Sequence, residues 1–219
     1  MKKIVVFDLD GTLVNSIYDL ADCVNTALAD AGLCQNSLEE YYTFVGNGME
    51  NLIRLSMKEQ GDNDELYKVI RRDFDALYEK HCNDKTIPYG GVEDLLQKLK
   101  TAGYTTAVLS NKAHRFVATI LEKCFPSHIF DAAWGQQEGI KRKPDGEGLT
   151  KLLESLDFKK EECVYVGDSD VDVFTAANAG VDMVGVLWGF RGKEELILSG
   201  AKHIAADADE LFGLISEMD

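Results

Sequence analysis

The pattern of apolar and polar positions changes character twice along the chain. Lys3–Phe7 is a short run rich in β-branched residues that stops at an acidic turn containing glycine. Such a run predicts a buried strand followed by a loop. Between about residues 17 and 81, apolar residues recur at helical spacing and no convincing strand interrupts them. This pattern predicts an all-helical block of roughly 65 residues, which separates the first strand from the rest of the chain.

After a turn at residues 88–91, strands and helices are predicted in alternation. The predicted helices are 92–102, 116–125, 147–156, 171–179 and 207–218, and the predicted strands are 105–109, 129–134, 163–166, 183–187 and 203–205. Alternating strands and helices form βαβ units, which build a parallel sheet with helices on both faces. We therefore expect an α/β core formed by residues 1–15 and 84–219, with residues 16–83 as a helical insertion after the first strand.

The net charge of the chain restricts its partners. Acidic residues outnumber basic ones by 38 to 23, and the formal net charge is −15. Such a surface repels nucleic-acid phosphates and anionic lipid head groups, so we expect no nucleic-acid partner and no membrane partner. It also repels anionic small molecules. A site for a phosphate ester would therefore need a metal ion and a few well-placed basic residues.

The cysteines and the apolar runs indicate a cytoplasmic protein. The cysteine count is odd and no CxxC pair is present, so we expect five reduced thiols, at Cys23, Cys34, Cys82, Cys124 and Cys163. The first residues lack a long apolar run with a cleavage site, and no stretch of about 20 apolar residues occurs.

Chemically active residues recur at positions that follow predicted strands. Carboxylates, hydroxyl groups and basic side chains occur in segments 8–12, 110–112, 141–144 and 167–172. Open parallel sheets bind ligands beyond the carboxyl ends of their strands, so we expect these segments to meet at one edge. Carboxylates there can share a hard divalent cation, and a lysine can neutralise a phosphoryl oxygen. This combination is what phosphoryl transfer requires.

The first of these segments is the most informative. Asp8 and Asp10 are two residues apart in an extended stretch, so both side chains can reach the same site. Gly11 allows the backbone to turn sharply and to approach a ligand closely. A single acid such as Asp172 is equally compatible with a helix N-cap or a solvated loop. The segments taken together, in this order, favour an active site.

Phe7–Leu13 resembles the first motif, DxDGT, of the haloacid dehalogenase superfamily. Ser110, Lys143 and the segment 167–172 resemble its second, third and fourth motifs, in the same order and over nearly the whole chain. The resemblance implies a Rossmann-like parallel sheet with helices on both faces and a small all-helical cap inserted after the first strand. The third motif departs from the family pattern KPxP, because Gly146 stands where the second proline would be. Lys141 and Arg142 are alternative cations in this segment.

The resemblance implies a magnesium-dependent phosphatase that works through an aspartyl-phosphate intermediate. Asp8 would attack phosphorus, and Asp10 would protonate the leaving oxygen and then take a proton from water. The implied Mg²⁺ ligands are Asp8, the main-chain carbonyl of Asp10, and Asp168. Asp172 would orient a water ligand or Lys143. The implied phosphoryl-binding groups are Ser110, Lys143 and the backbone N–H groups of Leu9 and Asn111.

The helical insertion is expected to select the substrate. Residues 44–48 are similar to a segment of phosphoglycolate phosphatases, and Gly46, Asn47 and Gly48 would bring backbone N–H groups over the substrate tail. A plain loop between helices is the alternative for these residues. We expect hinges near residues 15–16 and 85–89, so that the cap opens and closes. Arg191 is either a ligand for an anionic substrate tail or a solvated surface residue.

Several functions remain compatible with these motifs. A small phosphorylated metabolite such as 2-phosphoglycolate is the expected substrate. Inorganic pyrophosphatase and sugar-phosphate phosphatase or phosphomutase activities of the same superfamily are alternatives. A phospho-receiver signalling domain is an alternative of another class, but its length and acid placement differ. The chain has no GxxxxGK[ST] or GxGxxG segment for nucleotide binding. We expect a monomer or a homodimer.

Overall fold

A computed structural model describes residues 1–218, and Asp219, the last residue of the predicted core, lies outside them. The strands are β1 Ile4–Phe7, β2 Val14–Asn15, β3 Ile87–Pro88, β4 Thr105–Ala113, β5 Ala132–Gln136, β6 Cys163–Gly167, β7 Asp182–Val186 and β8 His203–Ala205. The helices are α1 Ile17–Asp30, α2 Leu38–Phe44, α3 Met49–Ser56, α4 Asp64–His81, α5 Val92–Thr101, α6 His114–Cys124, α7 Glu147–Ser155, α8 Asp170–Ala179, α9 Lys193–Ser199 and α10 Ala208–Glu217. Short 3₁₀ turns occur at Lys58–Gln60 and Lys160–Glu162.

A six-stranded parallel sheet forms the centre of the molecule. Its strand order is β5-β4-β1-β6-β7-β8, so β1 lies between β4 and β6. Phe7, the last residue of β1, is paired with Val108 of β4 and Val166 of β6. Because the three strands are parallel, the residues that follow Phe7, Val108 and Val166 along the chain meet at the carboxyl edge of the sheet. The predicted α/β fold is confirmed.

Apolar side chains bury both faces of the sheet. In β1, Val5 and Phe7 pack with α5, α6 and α10 on one face, whereas Ile4 and Val6 pack with α7, α8 and α9 on the other. This alternation follows from the two-residue period of a strand. All four β1 residues are 1% exposed or less, which explains why the strand is an unbroken apolar run.

The helical insertion lies between β2 and β3 and contains α1 to α4. These helices share a hydrophobic cluster that also includes Phe116 of α6. The chain enters and leaves the insertion side by side, because β2 and β3 form a two-stranded antiparallel ribbon. Asp19 of α1 reinforces this crossing by accepting hydrogen bonds from the backbone N–H groups of Lys85 and Thr86 and from the Thr86 hydroxyl.

Several local features differ from the sequence-based expectations, among them β5, which was predicted over residues 129–134 and extends over Ala132–Gln136. The second strand of the core was predicted to end at Leu109, but β4 continues to Ala113, with a register irregularity after Leu109. Segment 110–112 is therefore part of a strand and not a loop. Neither the β2–β3 ribbon nor the short helix α9 was predicted, because two-residue strands and a seven-residue helix give little periodicity. No helix in residues 1–218 is long and apolar enough to cross a bilayer.

Candidate active site

Three buried carboxylates converge at the carboxyl edge of the sheet. Asp8 follows β1, Asp168 follows β6, and Asp172 lies in the first turn of α8. Each offers an oxygen, and these oxygens lie within 4.8 Å of one another. All three residues are less than 9% exposed. Such a group of oxygen donors is suited to a hard divalent cation.

The electrostatics of this cluster also favour a cation. Burial raises the pKa of Asp8 to about 7; Lys143 partly offsets this effect, and Asp172 adds to it. Burial also raises the pKa of Asp168 well above its usual range, and the neighbouring Asp172 and Asp8 raise it further. Asp8 Oδ1 is buried and accepts no hydrogen bond of good geometry. A bound cation would satisfy this oxygen and would favour the ionised carboxylates.

Lys143 is the lysine of its segment that reaches the cluster. Its Nζ lies 2.8 Å from Asp8 Oδ1 and 2.8 Å from Asp172 Oδ1, and it donates to the Tyr165 hydroxyl at 3.0 Å. Burial alone would lower the pKa of Lys143, but Asp172 and Asp8 outweigh it and hold the pKa well above its usual value. By contrast, the Lys141 side chain is 70% exposed and pairs with Asp145.

Asp172 has both carboxylate oxygens engaged by the protein. Oδ1 accepts from Lys143 and from the Tyr165 hydroxyl, whereas Oδ2 accepts from the backbone N–H and the hydroxyl of Ser169. The Ser169 contacts form the capping box of α8. Asp172 is thereby placed to orient Lys143, while its influence on a metal ligand stays a prediction.

Glycine residues make room for Asp168. Its carboxylate accepts hydrogen bonds from the Thr12 hydroxyl at 3.3 Å and from the Phe190 N–H at 2.7 Å. A Cβ at Gly11, which has a φ of +86°, would lie 2.4 Å from Asp168 Oδ2. A Cβ at Gly189 would lie 2.3 Å from the Asp168 side chain and 2.3 Å from the Gly11 carbonyl oxygen. Neither position can accept a side chain without moving the Asp168 carboxylate or the backbone.

Gly189→Ala is expected to lower catalytic activity by roughly two decades, because a displacement of about 1 Å in a catalytic group has an effect of this size. The loss is measured as the rate of the phosphate release that the motif resemblance implies. Gly192→Ala is the matched control, because a Cβ at Gly192 has no atom within 4 Å. Equal activity of the two variants would contradict the close packing around Asp168.

Asp10 is held by groups that the motif pattern did not assign. Lys112 Nζ donates to Asp10 Oδ1 at 2.9 Å and to Oδ2 at 3.1 Å, and the Ser16 hydroxyl also donates to Oδ1. Burial tends to lower the pKa of Lys112, but Asp10 and Tyr78 outweigh it and raise the pKa above its usual value. The sequence carried a signal for Lys112, since it is two residues after Ser110 and β4 is extended there.

A cavity of about 40 Å³ lies between this edge and the helical insertion. From the core it is lined by Asp8, Asp10, Ser110, Asn111 and Lys112. From the insertion it is lined by Leu20, Val45, Gly46, Gly48, Met49 and Leu52. Gly46 and Gly48 thus line the cavity, whereas Asn47 is not among the lining residues, and contact of either glycine with a substrate stays a prediction. The Leu9 side chain points into the core and is fully buried, which leaves its backbone as the part considered for phosphate binding.

Two core side chains donate hydrogen bonds to backbone carbonyls of the insertion. Asn111 Nδ2 donates to the Gly46 carbonyl at 3.1 Å and to the Lys143 carbonyl at 3.0 Å. Arg191 donates from one guanidinium nitrogen to the carbonyls of Thr43 and Val45, at 2.9 and 3.0 Å. Arg191 was expected either to bind a substrate tail or to be solvated. In the structure its hydrogen-bond partners are backbone carbonyls of the insertion, its Nε lies 3.5 Å from Glu195 Oε1, and it does not line the cavity.

Comparisons with known proteins agree with this architecture. The family model for haloacid dehalogenase-like hydrolases matches residues 5–186. The chain is 33% identical over 201 residues to a phosphoglycolate phosphatase of Psychrobacter arcticus, covering 89% of this chain and 87% of that protein. It is 32% identical over 219 residues to a phosphoglycolate phosphatase of Vibrio parahaemolyticus, covering 98% and 96%.

Solved structures extend the likeness to three dimensions. A crystal structure from Lactobacillus delbrueckii, of a protein assigned as a phosphoglycolate phosphatase, aligns with a TM-score of 0.92 and 31% identity. The alignment covers 98% of this chain and 99% of that one. The fold and the acidic site define a phosphatase-type hydrolase. The chain belongs to the haloacid dehalogenase-like hydrolase family, and this membership excludes the phospho-receiver alternative.

Proposed function

We propose that this protein is a magnesium-dependent phosphomonoester hydrolase that works through an aspartyl phosphate on Asp8, with 2-phosphoglycolate or a similarly small ester as substrate. The buried cluster of Asp8, Asp168 and Asp172 with Lys143, beneath a small cavity, is the observation that carries the proposal. The family membership and the phosphoglycolate phosphatases among its relatives support it.

The covalent step begins at Asp8. A carboxylate oxygen of Asp8 forms a bond to phosphorus while the bond from phosphorus to the ester oxygen breaks. Asp10 gives its proton to the departing oxygen, so that an alcohol leaves. A water molecule then attacks the phosphoryl group on Asp8 and gives a proton to Asp10, which releases inorganic phosphate and restores both carboxyl groups.

The remaining groups would bind the phosphoryl group and the metal ion. Ser110, Lys143 and the N–H groups of Leu9 and Asn111 would receive the phosphoryl oxygens. Asp8, Asp168 and the main-chain carbonyl of Asp10 would hold Mg²⁺. When bound, the ion supplies positive charge that offsets the carboxylates and the incoming phosphate. The protein's own formal charge of −15 makes this compensation necessary.

The helical insertion, residues 16–83, would serve as the cap that limits substrate size. The cavity lies between the insertion and the carboxyl edge of the sheet, so residues of the insertion line it opposite Asp8 and Asp10. The apolar walls from Leu20, Val45, Met49 and Leu52 can pack against the carbon atoms of an organic ester, which pyrophosphate lacks. An organic phosphate therefore suits this lining better than pyrophosphate, and assays decide between 2-phosphoglycolate and the sugar phosphates.

The test is phosphate release from 2-phosphoglycolate, glucose 6-phosphate and pyrophosphate, with Mg²⁺ and with EDTA. We expect a kcat/KM above roughly 10⁴ M⁻¹s⁻¹ on 2-phosphoglycolate, lost with EDTA. A preference for another ester would support the proposed phosphatase chemistry but contradict 2-phosphoglycolate as the substrate. No turnover of any phosphate, including an aryl phosphate, would overturn the proposed function.

A further inference from the structure

A buried lysine of the core contacts both the proposed acid–base residue and the helical insertion. The Lys112 side chain is 1% exposed and that of Asp10 is 13% exposed. The ammonium group donates to both oxygens of Asp10, which fixes the plane of the carboxylate as well as its position. On its other side the same nitrogen lies 5.0 Å from the centre of the Tyr78 ring of α4.

The backbone explains how Lys112 reaches this place. Ser110 and Lys112 are two residues apart in β4, and the Lys112 N–H donates to the Ser110 hydroxyl oxygen at 3.2 Å. Both side chains line the cavity. The irregularity of the β4–β5 register between Leu109 and Ala113 lies in the same segment. Lys112 is therefore fixed by the strand that carries Ser110.

Tyr78 is equally constrained on the insertion side. It is fully buried, its ring stacks on Phe74 at 5.1 Å between centres, and it packs edge-to-face with Phe116 of the core at 5.0 Å. Its hydroxyl has no hydrogen-bond partner among the described residues. The ring face and the ammonium group together form a cation–π contact across the boundary between insertion and core.

Stability alone gives a poor account of this arrangement. Removing a lysine and a carboxylate from water costs several kcal/mol per ion, and apolar residues of similar volume often serve a fold as well or better. Lys112 pairs with Asp10, which in the proposed mechanism gives up a proton and takes one back in each catalytic cycle. A carboxylate with free rotation would spend part of its time turned away from the leaving oxygen.

We propose that Lys112 is a positioning residue for Asp10, which holds the Asp10 carboxylate toward the cavity and joins it to Tyr78 of the helical insertion. This inference rests on the proposed function, because it gives Asp10 the acid–base role. It goes beyond that function by assigning a task to a residue outside the motif positions. It also makes the orientation of Asp10 depend on the insertion being in contact with the core.

The test is a double-mutant cycle of Lys112→Met and Asp10→Asn, with Lys2→Met as control. Lys2 is also a buried lysine that pairs with an aspartate, the mostly exposed Asp182, and it precedes β1 at the opposite edge of the sheet. Its variant therefore reports the general effect of removing a buried lysine far from the cavity. We expect Lys112→Met to lower kcat on an alkyl phosphate by roughly 10²-fold, with KM changed by less than about threefold. Lys2→Met should leave kcat within about twofold of the wild type.

The decisive measurement is the effect of Lys112→Met in the Asp10→Asn background. If Lys112 acts through Asp10, no further loss beyond about threefold is expected there. With an aryl phosphate, whose leaving group needs no proton, Lys112→Met should release a burst of phenol as the aspartyl phosphate accumulates. Losses that multiply in the double variant, a change confined to KM, or an equal kcat loss in Lys2→Met would overturn the proposal.

The same assay separates this inference from the proposed substrate. If the wild type hydrolyses the aryl phosphate but not 2-phosphoglycolate, only the substrate is wrong, and the cycle measured with the aryl phosphate still decides the role of Lys112. If the wild type hydrolyses no phosphate ester, the proposed function and the role of Lys112 are overturned together.

Discussion

Asp8→Asn is expected to yield a folded protein that has lost phosphatase turnover by at least roughly three decades. An amide cannot form the acyl phosphate, so the covalent route is removed and only weak transition-state binding by the other groups remains. Phosphate release measures the loss. Mass spectrometry of acid-quenched protein should show a phosphate adduct on the Asp8 peptide of the wild type and none in the variant.

Asp145→Asn is the control for this substitution. Asp145 pairs with Lys141 at the surface and is about 41% exposed, so its variant should keep full activity. If Asp8→Asn retained more than a few per cent of wild-type turnover, or carried the adduct, Asp8 would not be the nucleophile.

Asp8→Asn also has an expected effect on stability in the absence of metal. Burial raises the pKa of Asp8 to about 7 from an ordinary 3.8. Because the folded-state pKa is the higher one, the contribution of this carboxyl is fully present below about pH 4 and is lost as the pH rises through about 7. The asparagine variant should therefore be the more stable protein at pH 8, by up to about 4 kcal/mol, and should match the wild type near pH 4. Urea unfolding in EDTA at both pH values measures the difference.

Lys143→Met is expected to abolish turnover and to destabilise the metal-free protein by roughly 3–5 kcal/mol, since it leaves buried carboxylates without their cation. Asp8 and Asp172 would each lose a contact of 2.8 Å. Mg²⁺ should restore part of the stability but not the activity, because the ion offsets the charge without donating the hydrogen bonds of the ammonium group. Thermal unfolding with and without Mg²⁺ tests the first expectation and phosphate release the second.

Lys141→Met is the matched control two residues away. Its side chain is 70% exposed, so its ion pair with Asp145 contributes little to stability. We expect activity and thermal stability close to those of the wild type. A large loss of turnover in Lys141→Met, with Lys143→Met active, would reassign the phosphate-binding cation of this segment.

Much of the core could be predicted because its signals are local. The apolar run of β1 and the acids that follow it are adjacent in sequence. A strand that is buried on both faces is a continuous apolar run, so it can be predicted without knowing which strands pair with it. The meeting of segments 8–12 and 167–172 followed from one rule, that the carboxyl ends of parallel strands share an edge. Helix boundaries were also close, since α7 ends at Ser155 where residue 156 was expected.

The contacts between the insertion and the core could not be predicted in this way. They depend on how the helical insertion docks on the α/β core. The periodicity of apolar residues within the insertion or within the core contains no information about that docking. Docking of the insertion on the core places Tyr78 beside Lys112. It also places the carbonyls of Thr43 and Val45 within hydrogen-bond distance of Arg191. Arg191 is the clearest example. From the sequence it was either a ligand for an anionic substrate tail or a solvated surface residue, whereas in the structure its guanidinium group donates hydrogen bonds to backbone carbonyls of the insertion.

The position of β1 has a consequence for biosynthesis. This strand leaves the ribosome before the other strands of the sheet, yet Ile4 pairs with Thr105 on one side and Cys163 on the other. Its partners are made much later, whereas α1 to α4 can associate as soon as they are synthesised. We expect the insertion to become compact first. During this time β1 has no paired strand and is prone to aggregation. A chaperone that binds short extended apolar segments would therefore raise the yield of native protein by protecting Ile4–Phe7 until residue 163 has emerged.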